Sequence, residues 1–598
     1  MHLNFADRAR AVLALMAFAL IASCATAPAQ AKKPHNVVIF VADGLRYSSV
    51  NATDTPALAA LKAEGVDFAN SHSLFPTITT VNGSAIATGH YIGDTGDFGN
   101  TIYPGALLPN ASFSRIVPLE DDGILKDMNA RFGGNYLNEK SLLATARAHG
   151  FSTAALGKTG PTAIQDIDAL SGKGGIVIDD ALGTPDGAPL DPEVAAAIKA
   201  AGLAPAPPAR MRPAEDQLKW YTSVISKVLL PRFKAKSAPF ALVLWSVDPD
   251  STQHAQQDSK NALVPGINGP SSKAALKAAS DALGRIRDAL KAQGLDKNTD
   301  IFVAADHGFS TVSKESKTSA SAQMKLRDAP DGQVPQGFVG IDLAKALNMP
   351  LFQANGLEVQ LSDHLGPPRG STMLGPDFEH PHIFIGSNGG ADLIWLPEND
   401  AMSLAPRLVD FLTTQDYVSA IFVNDDFGPI PGALPMSAVG LKGAALTPAP
   451  AIYISFKSFT TGCTGNELQC TAEIADTDWR MGGGIHGSLH RGDTRNFMAA
   501  VGPDFKKHFV NPAPVSNADI APTLAKILGF ELPSVGKLNG RVITESLVGG
   551  RSVKSQSAAR VSAPAANGFV TKLDYQSVGT NEYYDAAGAP GRAVGLKP

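Results

Sequence analysis

The chain has 598 residues, 44% apolar and 18% charged, which is enough to bury a large core in one domain with insertions or in two or three domains, and which excludes wholesale disorder. A net charge of −5 lacks the basic excess expected of a nucleic-acid binder, so no nucleic-acid partner is expected. The 57 glycines and 42 prolines call for many turns and long loops.

Residues 1–31 read as an export signal of bacterial type. Arg8 and Arg10 precede an apolar run, Ala11 to Ala22, that is too short to span a bilayer comfortably. Two processing routes stay open. Ile21-Ala22-Ser23-Cys24 resembles a lipobox, which would place a lipid anchor on Cys24 and give an outer-membrane lipoprotein. Ala27-Pro28-Ala29 and Ala29-Gln30-Ala31 have the small-x-small form of ordinary cleavage and give a periplasmic protein. Either route leaves one cysteine pair, Cys463 and Cys470, which in an oxidising compartment would close a short disulfide loop.

Asn36 to Ala42 is a continuous apolar, β-branched run, the pattern of a strand buried on both faces of a parallel sheet. Thr55-Pro56 opens a helix that Gly65 stops, and Thr80 to Thr88 reads as a helix ending at Gly89. Phe151 to Leu156, Phe240 to Ser246, Asp300 to Ala305 and Phe497 to Val501 are strand-like. Ser271 to Gln293 and Ile520 to Leu528 are helical. Apolar strands alternating with helices predict an α/β sandwich, a mostly parallel sheet with helices on both faces. One catalytic domain over residues 34–549 is expected, interrupted by insertions at about 103–213 and 311–480. A Ser/Ala/Gly-rich tail over 550–598 carries little pattern.

Several side chains with reactive chemistry fall just after these strands. Asp43 follows the first, at the edge where open α/β sheets bind ligands. Thr79 falls at a helix N-terminus, where backbone N–H groups stabilise an anion. Asp250 and His254 lie four apart, a spacing that can close on one metal ion. Asp306-His307 follows another strand, and His486 lies in the Gly-rich stretch Gly482 to Gly487, whose glycines let the backbone approach a metal site closely. Oxygen and nitrogen donors without thiolates suit zinc, with manganese as the alternative, and six ligands plus a hydroxyl suffice for two sites. His490 reads as a residue behind the site, and His380 and His382 as structural.

Taken together and in order, these fragments resemble the alkaline phosphatase superfamily, and within it the nucleotide pyrophosphatase/phosphodiesterase branch. The matching stretches are Val41-Ala42-Asp43-Gly44, Pro76 to Asn82, Pro249 to His254, Asp306-His307-Gly308 and His486-Gly487, followed by Asp519 to Leu524 and Asn539-Gly540-Arg541. The resemblance spans about residues 36–547 and implies an alkaline-phosphatase-like three-layer αβα sandwich whose insertions form a cap. It implies one divalent ion held by Asp250, His254 and His486, and a second held by Asp43, Asp306, His307 and the oxygen of Thr79. In the Pro-Thr-X-Thr pattern Thr79 takes the nucleophile's place ahead of Thr77 and Thr80. Asn100, twenty-one residues after Thr79, matches an asparagine that contacts a phosphate oxygen. Lys158 matches a phosphate-contacting lysine of monoesterases in the branch, but the arginine expected two residues later is Gly160. The implied substrate is a small phosphate ester or nucleotide. Phosphodiesterase action leads, broad alkaline phosphomonoesterase action is the nearest rival, and a non-catalytic binding scaffold is the third. No Cys/Ser-X-Pro-X-Arg stretch lies near Thr79, which argues against a sulfatase.

Overall fold

The computed structural model describes residues 35–327 and 329–598. The expected export signal and Cys24 lie outside the described residues. Among the described residues, no helix is long and apolar enough to cross a membrane.

The centre of the fold is an eight-stranded sheet. Its strands in chain order are β1 (Asn36–Ala42), β2 (Val66–Phe68), β3 (Ser152–Gly157), β4 (Ile176–Asp179), β5 (Phe240–Ser246), β6 (Thr299–Ala304), β7 (Met498–Val501) and β8 (Phe509–Asn511). Their order across the sheet is β8-β2-β7-β6-β1-β5-β3-β4. Every neighbouring pair is parallel except the two that β7 makes with β2 and β6. This is the mostly parallel α/β sandwich expected from the sequence.

The apolar run of β1 is continuous because both faces of the sheet are covered. Val37, Ile39 and Val41 join one core cluster, while Val38, Phe40 and Ala42 join another. On the Val38 side pack α1 (Pro56–Glu64), through Leu58 and Leu61, and α4 (Pro270–Ala292), through Leu276, Leu283, Ile286 and Leu290. On the Val37 side pack α2 (Thr79–Thr88) and α5 (Ile520–Leu528), through Val81, Ile86, Ile520 and Leu524. Each such side chain removed from water contributes roughly 1.5–3 kcal/mol, so covering both faces outweighs the weak helix propensity of the β-branched residues in α2.

The register sets the site. Ala42 lies opposite Ser246, Val41 opposite Ala304, and Gly157 opposite Trp245. Four parallel strands therefore end at one edge, and the loops that leave β1, β3, β5 and β6 start side by side.

Two expectations about organisation change. The stretch 103–213, read as an insertion, supplies β3 and β4 to the central sheet. The stretch 311–480 does build structure of its own, a seven-stranded sheet including Ile383–Asn388, Ala391–Trp395 and Ile452–Phe456. The patternless tail folds into an antiparallel sheet of Gln556–Val561, Lys572–Val578 and Asn581–Gly588. Its last strand is buried through Tyr583, Tyr584, Ala586 and Ala587, and Asp585 pairs with the buried His72 at 2.9 Å. Cys463 and Cys470 are joined as a disulfide.

Candidate metal centre and catalytic pocket

Asp43 is the first residue past β1, and its backbone N–H donates to the carbonyl of Ser246 at 3.2 Å. Asp250 opens the short helix α3 (Asp250–Ala255), and its N–H donates to the Asp43 carbonyl at 3.0 Å. One helical turn later comes His254, on the same face. Asp306 and His307 follow β6, and the Asp306 Oδ1 accepts the N–H groups of Gly44 and His307, each at 3.0 Å. His486 follows the two-residue strand Gly484–Ile485. A β-carbon on Gly484 would strike the Phe309 ring and the carbonyl oxygen of Gln253, so the glycine lets this strand close on α3. Thr79 is the first residue of α2, with Ile78 rather than a threonine at the N-cap.

These groups, scattered over more than four hundred positions, meet at one place. His254 Nε2 is 3.1 Å from Asp250 Oδ1, and His486 Nε2 is 3.5 Å from the same oxygen. His307 Nε2 lies 3.5 Å from Asp43 Oδ1 and 3.2 Å from Asp306 Oδ2. Asp250, His254 and His486 offer ligand atoms within 4.8 Å of one another, as do Asp43, Asp250 and His307. The Thr79 hydroxyl is 3.3 Å from His307 Nε2.

The hydrogen bonds on the far side of each ring fix its tautomer. His254 Nδ1 meets the Gly484 carbonyl, His307 Nδ1 the Gly308 carbonyl and His486 Nδ1 the Thr77 carbonyl, all at 2.8 Å. A carbonyl only accepts, so each Nδ1 carries the proton and each Nε2 turns a lone pair inward. The carboxylate oxygens opposite, Asp43 Oδ1, Asp250 Oδ1 and Asp306 Oδ2, are buried and receive no hydrogen bond among the described residues. Acceptor atoms therefore face one another across 3.1–3.5 Å in a largely buried site, an arrangement that divalent cations between them would relieve. The donor set fits such ions.

The electrostatics agree. Burial, with Asp250 and Asp306 adding repulsion, raises the Asp43 carboxyl well above the usual range, and burial pushes Asp306 up to about 7. Burial, aided by His307, drives His486 down to about 3. The stacked rings of His307 and His486, with centroids 3.6 Å apart, are thus both held neutral, as ligands must be. Asp250 goes the other way: although burial raises it, Lys158 and His254 pull it well below the ordinary value.

Lys158, one residue past β3, reaches the middle of the cluster. Its Nζ is 2.9 Å from Asp43 Oδ2, 3.3 Å from Asp250 Oδ2 and 3.5 Å from Thr79 Oγ1. Asn100 sits beside the start of α2, and its Oδ1 accepts the Thr80 N–H at 2.9 Å. With the oxygen engaged, the amide Nδ2 is the donor left for a ligand. Asn100, Glu120, His254, His486, Trp479 and Arg369 line a cavity of about 630 Å³ above the cluster. Trp479 and Arg369 belong to the stretch read as the second insertion, so that stretch walls the pocket.

His380 and His382 stay outside, paired with Asp377 and Asp400. His490 lies behind the site with Glu473 and Asp493, all buried. Its Nδ1 accepts the Gly492 N–H at 3.1 Å, so its Nε2 carries the proton and donates to Glu473 at 2.8 Å. That tautomer makes the trio a hydrogen-bonded buttress, not an ion site. Asp493 Oδ2 in turn accepts the Gly487 N–H at 3.1 Å, next to His486. Glu120 and Asp493 escaped the sequence reading because neither lies in a motif. Glu120 stands among ordinary acidic loop residues, and Asp493 within the four-residue helix Arg491–Thr494.

A family model described as type I phosphodiesterase / nucleotide pyrophosphatase matches residues 37–346. No curated protein matches the chain.

Proposed function

Because the chain belongs to the type I phosphodiesterase / nucleotide pyrophosphatase family, within the alkaline phosphatase superfamily, we propose that it hydrolyses phosphodiesters or nucleotide pyrophosphates by attack of Thr79 on phosphorus. The family is one of phosphoric ester hydrolases. The observation that carries the finer reading is the set of three inward-facing Nε2 lone pairs opposite three unpartnered carboxylate oxygens, with the Thr79 hydroxyl among them. Asp250, His254 and His486 would hold one divalent ion, and Asp43, Asp306 and His307 another, with zinc favoured by the mixed N/O donors. Such ions, when bound, lower the pKa of a coordinated hydroxyl and neutralise charge that develops on phosphate oxygens.

The chain's own groups supply the rest. Thr79, at the N-terminus of a buried helix, places its oxygen where backbone N–H groups and the helix dipole favour negative charge. Asn100 Nδ2 and Lys158 Nζ are donors for non-bridging phosphate oxygens. In-line attack forms a bond from Thr79 Oγ1 to phosphorus while the bond to the leaving alcohol or phosphate breaks opposite, the leaving group taking up the hydroxyl proton through solvent. The threonyl phosphodiester that results keeps the second organic group, and water then cleaves its Thr79 ester to release a monoester. A second reading, phosphomonoesterase, draws on the closeness of Lys158 to Thr79. The disulfide between Cys463 and Cys470 supports an exported protein in an oxidising compartment.

Rapid acid quench during turnover of a chromogenic diester, followed by peptide mass spectrometry, tests the nucleophile. A phosphoryl group still bearing one organic ester is expected on the Thr79 peptide of the wild type and is absent in Thr79→Ala. That variant should lose on the order of 10³-fold or more in kcat while keeping its metal content. A Thr79→Ala protein with near-normal turnover would remove Thr79 from the mechanism.

A further inference from the structure

We propose that Glu120 is a specificity-determining residue that makes the pocket favour singly charged phosphodiesters over doubly charged phosphomonoesters. This rests on the phosphodiesterase reading above and sharpens it.

Asn100 and Glu120 are delivered to the pocket by one small device. The strand Thr101–Ile102 pairs antiparallel with Val117–Pro118, and the Leu119 N–H donates to the Asn100 carbonyl at 2.7 Å. The carboxylate of Glu120 therefore enters the cavity beside the Asn100 amide, and both line it. Glu120 Oε1 lies 2.8 Å from Lys158 Nζ, the closest of the lysine's acidic partners. The other two, Asp43 and Asp250, belong to the proposed metal ligands. Glu120 belongs to neither ligand group, so its charge is left to act on Lys158 and on substrate.

The loop of Lys158 is shaped to admit this carboxylate. Gly160 has φ +90°, and a β-carbon there would lie 2.6 Å from the Glu120 Cα and 3.1 Å from the Leu119 carbonyl oxygen. No side chain fits at Gly160 while the Glu120 backbone occupies that place. The local balance beside the phosphate oxygens is one ammonium and one carboxylate, summing to zero. The Glu120 side chain is 33% exposed and lines the cavity, so it meets whatever enters.

Substrate charge then decides. A monoester brings three non-bridging oxygens that share two negative charges. With the leaving group and the nucleophile in line, one of those oxygens falls toward the Lys158–Glu120 pair. A diester carries an esterified, uncharged oxygen and an organic group at one of these places. Like charges brought together without intervening water are costly, and repulsion of the wrong substrate is an efficient route to selectivity. Glu120 also tethers the lysine's ammonium, which limits how far it can follow a second charged oxygen.

The experiment compares kcat/KM for a chromogenic phosphodiester and a phosphomonoester of the same alcohol in the metal-loaded wild type, Glu120→Gln and Glu120→Ala. Circular dichroism and metal content check that each variant is folded and loaded. The monoester-to-diester ratio is expected to rise by about tenfold or more in both variants, and inorganic phosphate to inhibit them more tightly. A ratio unmoved in both variants, in an enzyme that hydrolyses diesters, overturns the role of Glu120 and leaves the phosphodiesterase reading standing. A wild type that prefers monoesters overturns both, and a metal-loaded wild type that hydrolyses neither overturns the function itself.

Discussion

At the scale of residues, the site is defined by which atom of each side chain is already engaged. Three backbone carbonyls take the Nδ1 protons of His254, His307 and His486, and this turns all three Nε2 atoms toward the centre. The same logic separates His490 from them, since a backbone N–H occupies its Nδ1. The sequence could name His486 and doubt His490, because glycines surround the first. It could not show the tautomers, which depend on carbonyls such as that of Thr77, 409 positions away. The buttress makes a prediction of its own. Burial pushes Glu473 up to about 8, from an ordinary 4.5. The folded state thus binds this proton more tightly than the unfolded chain. The stabilisation is full below the unfolded value and is lost as pH rises through about 8. Glu473→Gln, which mimics the protonated acid, should therefore lose less melting temperature than the wild type between about pH 5 and pH 9. Parallel Tm–pH curves for the two proteins would show that Glu473 is not protonated in the fold.

At the scale of elements, the parallel strands do the positioning. The uninterrupted run Asn36 to Ala42 announced a two-faced strand, and the register of β1 with β5 and β6 converts that into a common edge for Asp43, Asp250 and Asp306. The helix over Thr79–Thr88 was legible from its small residues and its Gly89 stop, and Gly89 is indeed the left-handed C-cap. Other elements were hidden for physical reasons. β4 lies inside a stretch that looks like an insertion because the loops around it are long and rich in proline and glycine. The strands after Gly549 are built from Ser, Ala, Tyr and Gln, and their burial comes from tertiary contact, not from an apolar run. Helix α4 carries much of the cover on one face. Leu283→Ala there should cost roughly 2–5 kcal/mol in denaturant unfolding while leaving kcat per folded molecule unchanged. A loss well under 1 kcal/mol would mean that the Val38 side of the sheet is less tightly packed than described.

At the scale of the whole molecule, one sheet edge and one extra sheet build the pocket between them. The edge of the central sheet positions Asp43, Asp250, Asp306 and His307, helix α2 brings Thr79, and the short strand Gly484–Ile485 of another sheet brings His486. The segment after Thr311 brings Trp479, Arg369 and Asn388 to the cavity wall, with Trp479 stacked on His254 at a centroid distance of 5.6 Å. The ligand pattern was legible because each ligand sits at a strand end or in a glycine-rich loop, within short recognisable motifs. The cavity wall was not, since its residues come from loops of unremarkable composition whose positions are set by the fold of the seven-stranded sheet. Ligand-type residues are thus readable from short motifs, whereas the wall residues that meet a substrate, Glu120 among them, are placed by the fold.

The most direct test of the central claim, metal-assisted phosphodiester hydrolysis at this centre, is elemental analysis of the purified chain alongside its diesterase rate before chelation, after chelation and after zinc is restored. About two divalent ions per chain are expected, with loss of turnover on their removal and recovery on reloading. A chain that hydrolyses diesters equally well without metal, or that binds two ions and remains inert, would contradict that claim.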